Sequence, residues 1–97
     1  MNTIDKFREW YIAQINPRTN AHYKESSVNC YITAIRGLVE DGLVCRGIFN
    51  VGADEFMRQI RQVVEMNPVA YANCNHHGNL TNGIKWWKRF LDAQMKC

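Results

Sequence analysis

Ser26-Ser27-Val28-Asn29-Cys30-Tyr31-Ile32-Thr33-Ala34-Ile35-Arg36-Gly37-Leu38-Val39-Glu40-Asp41 is the stretch that decides the fold. Val28, Tyr31, Ile32, Ile35, Leu38 and Val39 recur at spacings of three and four, which places them on one side of a helix. A helix is therefore predicted, capped by Ser26 or Ser27, whose hydroxyl can accept a first-turn N–H, and stopped by Gly42. Upstream, Ile4, Phe7, Tyr11 and Ile15 predict a first helix from 3 to about 15, with Asn2 or Thr3 as cap and Asp5 in the first turn. Pro17 ends it, and 16 to 24 reads as an ordered polar surface loop.

Downstream, 43 to 51 is a short apolar stretch read as a buried crossover, with little or no strand expected. Asp54 and Glu55 open a third helix to about 66, with Phe56, Ile60, Val63 and Val64 inward, and Asn67-Pro68 closes it. A short helical turn is expected over 69 to 74. The last helix is predicted to start after Gly78, capped by Asn79, with Leu80, Ile84, Trp87 and Leu91 on one stripe and Phe90 beside it. These elements predict an all-α fold, a compact orthogonal bundle of four main helices.

The 97 residues make a single domain, since so short a chain cannot divide its apolar residues between two stable cores. With 46% hydrophobic and 22% charged residues, the composition excludes a collagen-like or disordered chain. Apolar runs such as Leu43-Val44-Cys45 fall far short of the roughly 18 residues a membrane span needs. The N-terminus interleaves acids and bases and has no secretory h-region, so a cytoplasmic location is expected. Cys30, Cys45, Cys74 and Cys97 lack a Cys-x-x-Cys spacing and are read as reduced thiols.

The net charge of +3 is modest, but its distribution is uneven. Residues 17 to 36 carry Arg18, Lys24 and Arg36 against Glu25; residues 80 to 97 carry Lys85, Lys88, Arg89 and Lys96 against Asp92. Residues 37 to 66 are net acidic. Lys85 and Arg89, four apart, point away from the apolar stripe with Asn82 on the same outer side. On the second helix Asn29, Thr33 and Arg36 flank the apolar face near the serines, whose free N–H groups favour an anion. Such faces suit a polyanion, and amide side chains can read base edges, although a solvated surface has the same composition.

Cys74-x-His76-His77 invites zinc, but a structural site needs four ligands and the other candidates are scattered, so no metal or other cofactor is expected. The two histidines read as exposed donors. No nucleophile–base constellation or phosphate-cradling glycine loop is present, so no enzyme activity is expected. Trp86 and Trp87 diverge by about 100° on a helix, making Trp87 the core member and Trp86 a marginal one, suited to boundary packing or to contact with a base, sugar or protein. Trp10 poses the same choice.

Three phrases carry a resemblance: Phe7-Arg8-Glu9-Trp10-Tyr11, then Ser26 to Arg36, then Asn79 to Leu91 with Trp87-Lys88-Arg89-Phe90-Leu91. Together they resemble the N-terminal core-binding (SAM-like) domain of tyrosine recombinases and phage integrases, over nearly the whole chain. The resemblance implies a module that clamps double-stranded DNA with its second and last helices and belongs to an integrase-like or restriction-type protein. By matching position, Lys24, Ser26, Ser27, Asn29, Thr33 and Arg36 would contact DNA from the second helix and its start, and Asn82, Lys85 and Arg89 from the last. Lys88 joins them on charge. The loop 16 to 24 is longer than that family's pattern, and the family's catalytic arginines, His-x-x-Arg and nucleophilic tyrosine have no counterpart here. Tyr11, Tyr23, Tyr31 and Tyr71 therefore inherit no catalytic role, and no small-molecule substrate is implied. The alternative is a protein-interaction module, such as a small phage-encoded inhibitor or an oligomerisation domain, using Trp10, Trp86 and the 43 to 49 segment.

Overall fold

The computed structural model describes residues 2–73 and 77–95, without the side chains of His77 and Met95. Its elements in chain order are α1 (Thr3–Ala13), β1 (Ile15–Asn16), β2 (Ala21–His22), α2 (Glu25–Glu40), a 3₁₀ turn (Ile48–Asn50), α3 (Ala53–Met66), α4 (Pro68–Ala72) and α5 (His77–Met95). The described chain is thus a mostly helical fold with one small antiparallel hairpin. None of its helices is long and apolar enough to cross a membrane.

Asn2, one of the two caps the sequence offers, caps α1, its Oδ1 accepting from the Asp5 N–H at 2.9 Å. Asn2→Ala is expected to cost about 1 kcal/mol of stability, measurable by urea denaturation; an unchanged midpoint would show that the cap contributes nothing. The helix is shorter than its apolar spacing suggests. It ends at Ala13, Gln14 turns extended, and Ile15 pairs with His22 in the hairpin. Ile15 is consequently 55% exposed and not part of the inner face. Local turn chemistry in Asn16 to Asn20 outcompetes one more helical turn.

On α2 the predicted inner face holds: Val28, Ile32, Ile35 and Leu38 are buried, with Tyr31 and Val39 packed beside them. Its start is different. Glu25 is the first helical residue and Lys24 the cap, with no side-chain capping bond, so Ser26 and Ser27 lie in the first turn and neither is the cap. The far end is a Schellman motif, with Leu43 N–H bonded to Leu38 O at 2.9 Å and Gly42 N–H to Val39 O at 3.0 Å. Gly42 takes φ +74, which favours glycine.

The crossover is buried as expected, through Val44, Ile48 and Phe49. Gln59 of α3 ties it down, accepting from the Cys45 N–H at 3.0 Å. Phe56, Ile60 and Val63 point inward from α3, whereas Val64 is 41% exposed, being rotated past the edge of the stripe. Pro68 opens α4 where its missing N–H is harmless. Asn79 lies inside α5, two residues after its first described position, and is not a cap. Leu80, Ile84, Trp87 and Phe90 are buried, and Leu91 is packed against them.

The core centres on Trp87, which meets Phe7 at 4.8 Å, Phe49 at 5.1 Å and Phe90 at 5.4 Å between ring centroids. α5 approaches α2 closely because Gly83 faces Tyr31: a Cβ on Gly83 would lie 3.0 Å from the Tyr31 Cβ.

Candidate nucleic-acid interface

The hairpin and α5 together form an open cleft of about 300 Å3 lined by Asn16, Pro17, Arg18, Tyr23, Asn82, Lys85, Trp86 and Arg89. Each side of it follows from local sequence. On the hairpin, the Asn16 side-chain oxygen accepts from the Arg18 N–H at 3.0 Å, an Asx turn that fixes the backbone under Arg18. Asn20 closes the loop in the left-handed region at φ 54, which asparagine tolerates better than most residues. Tyr23 anchors the hairpin to the body, its ring 5.0 Å from Tyr11 and 5.0 Å from Trp86.

On α5, Asn82, Lys85, Trp86 and Arg89 make the stripe beside the buried one, as spacings of three and four require. Burial, followed by a hydrogen bond to Tyr31, pushes the Tyr11 phenol far above its ordinary value, so it stays protonated beneath this wall.

Electrostatically the cleft is one-signed. Among the described residues the ion pairs are Arg8–Asp5, Arg58–Glu55 and Lys88–Asp92, so Arg18, Lys85 and Arg89 have no carboxylate partner. The Arg89 guanidinium lies over the Trp86 ring, 5.0 Å from its centroid.

The sequence-derived contacts separate into groups. Asn82, Lys85 and Arg89 share the cleft. Asn29 and Thr33 line a different hollow with Cys30 and Asn79, and the Asn29 Oδ1 accepts from Arg8 Nε at 2.9 Å. Ser27 is half-buried beside the Tyr11 phenol, an internal position. Lys24, Ser26 and Arg36 are exposed but line neither hollow, and Glu25 in the first turn of α2 already answers that helix's dipole. Lys88 is paired with Asp92 at 2.8 Å, apart from the cleft. Lys96, Cys74, Cys97, His76 and the His77 side chain lie outside the described residues. Cys30 and Cys45 are free thiols, and the described residues contain no group of three potential metal ligands.

Arg18 is the addition. Its signal in the sequence is Asn16-Pro17-Arg18-Thr19-Asn20, a turn-forming run that presents one cation at its tip. Compared with protein-family models, curated proteins and solved structures, the chain matches none.

Proposed function

We propose that this chain is a helical DNA-binding module that holds the phosphate backbone in the cleft between α5 and the hairpin. The observation that carries the proposal is that Arg18 joins Lys85 and Arg89 there, from two separate segments, with no carboxylate partner among the described residues. Cations so placed release counterions from phosphates, and the Asn16 and Asn82 amides beside them can bond sugar or base edges. The partner is double-stranded DNA, the location cytoplasmic, and the helical type that of the SAM-like core-binding domains of integrases. The helical architecture supports that type, and neither catalysis nor a cofactor forms part of the reading.

The protein-docking alternative has less support. Val44, Ile48 and Phe49 are consumed by the core, and Trp10 and Trp86 are half-buried against each other at 6.0 Å.

Three phosphate contacts give a logarithmic salt slope of about −3 for duplex DNA. A titration of duplex and single-stranded DNA at low and high salt tests this, with Lys85→Ala/Arg89→Ala alongside. The double variant is expected to bind at least roughly tenfold more weakly at low salt, with its slope reduced to about −1. A variant that binds as the parent does means that the cleft is not the contact surface. A parent that binds no nucleic acid at low salt but gains mass with itself or another protein defeats the reading.

A further inference from the structure

We infer that Trp86 is a positioning residue for Arg89, holding its guanidinium across the cleft for a backbone phosphate, and that it is not a stacking platform for a base. The inference rests on the DNA-binding reading and says how the cleft would recognise its ligand. Two observations lead to it. Arg89 lies over the Trp86 ring, and Trp10, Tyr11 and Tyr23 crowd the same ring at steep interplanar angles, with centroids at 6.0, 5.1 and 5.0 Å. An incoming base would have to displace the guanidinium, whereas a phosphate meets it ready-made.

The physical chemistry favours arginine here specifically. A guanidinium is planar, weakly hydrated and able to stack on an indole while its N–H groups still point outward as a fork. Stacking restricts the side chain before binding, so less rotamer freedom is lost when the phosphate arrives. Lysine would keep the charge but lose both the stack and the fork. Lys85 and Arg18, which share the cleft without such support, then act as point charges around a fixed centre.

The test is a double-mutant cycle on a mixed-sequence duplex, with oligothymidine as the single-stranded control and thermal melts establishing that each protein is folded. Trp86→Leu is expected to weaken duplex binding about two- to fivefold in the parent and clearly less in Arg89→Ala, where only its packing against Tyr23 remains to be lost. Trp86→Phe keeps an aromatic face and should retain most of the coupling, which separates loss of the stack from damage to the aromatic cluster. Arg89→Lys should keep the parent's salt slope yet bind more weakly than the parent, by at least as much as Trp86→Leu does. In the free protein, proton NMR should place the Arg89 methylenes upfield, returning to ordinary positions in Trp86→Leu. Equal losses from Trp86→Leu in both backgrounds, or Arg89→Lys binding like the parent, overturn the positioning role and leave the DNA reading intact. A larger loss for oligothymidine than for duplex on Trp86→Leu makes Trp86 a base platform and also overturns it. A parent without duplex affinity at low salt overturns both.

Discussion

Trp87→Ala is expected to remove about 3–5 kcal/mol of stability, the largest effect of any single truncation in this chain. Trp87 is 0% exposed and, among the described residues, is the one side chain that meets aromatic rings from α1, the 3₁₀ turn, α3 and its own helix: Phe7, Phe49, Phe56 and Phe90. Removing it leaves a cavity bordered by four separate elements, which cannot all move inward together. Domains of this size are stable by about 5–15 kcal/mol, and each kcal/mol shifts the melting midpoint by roughly 4–8 °C. The midpoint should therefore fall by more than about 12 °C, and the variant should be partly unfolded near body temperature. Trp87→Phe is informative because the Trp87 Nε1 is buried with no hydrogen-bond partner among the described residues. Deleting that N–H relieves a desolvation cost, so Phe should lose only about 1–2 kcal/mol despite its smaller ring. Urea denaturation of the two variants checks both numbers. A Trp87→Ala protein within about 1 kcal/mol of the parent would mean that the core is not organised around this ring.

The core is largely legible in the sequence, because burial imposes its period on the chain. Val28, Ile32, Ile35 and Leu38 on α2, and Leu80, Ile84 and Trp87 on α5, are recoverable from spacing alone. Errors fell where a local interaction competes with that period. Ile15 continues the α1 stripe in sequence, yet Asn16 bonds the Arg18 N–H and turns the chain into a hairpin. Ser26 and Ser27 have good capping chemistry, but Glu25 is also a good first-turn residue, and the helix starts there. Val64 lies about 100° round α3 from Val63, past the edge of the buried stripe, and is 41% exposed.

The candidate site was half legible. Lys85, Arg89 and Asn82 share one stripe of one helix, and periodicity finds such a set. Arg18 could not be placed with them from spacing, because its approach depends on Tyr23 packing against Tyr11 and Trp86, a contact between three distant segments. Lys24 and Arg36, cations of the second helix and its start, are exposed but do not line the cleft. Periodicity puts a residue on a face of its own helix and says nothing about which way that face turns in the bundle.

Gly83→Val is expected to cost about 2–3 kcal/mol, a large effect for a position that loses no buried side chain. A Cβ at Gly83 would sit 3.0 Å from the Tyr31 Cβ and 3.2 Å from both the Tyr31 Cα and its backbone oxygen. A side-chain tip can swing away, but the backbone of α2 cannot yield without dragging Val28, Ile32 and Ile35 with it. Intrinsic helix propensity ranks alanine above valine and both above glycine, with about 1 kcal/mol between the extremes. The close approach predicts the reverse, with stability falling from glycine to alanine to valine, and only part of the alanine strain is offset by its better propensity. The consequences reach the cleft. Tyr31 packs on Tyr11 at 5.7 Å, and Tyr11 on Trp86 at 5.1 Å, so pushing α5 off α2 moves Trp86 and Arg89 relative to the hairpin that carries Arg18. Gly83→Ala should therefore weaken duplex binding while still folded, although it lies outside the cation stripe. An alanine variant more stable than the parent, with full affinity, would show that α2 and α5 can separate by a few tenths of an ångström without disturbing the arrangement of the three cations.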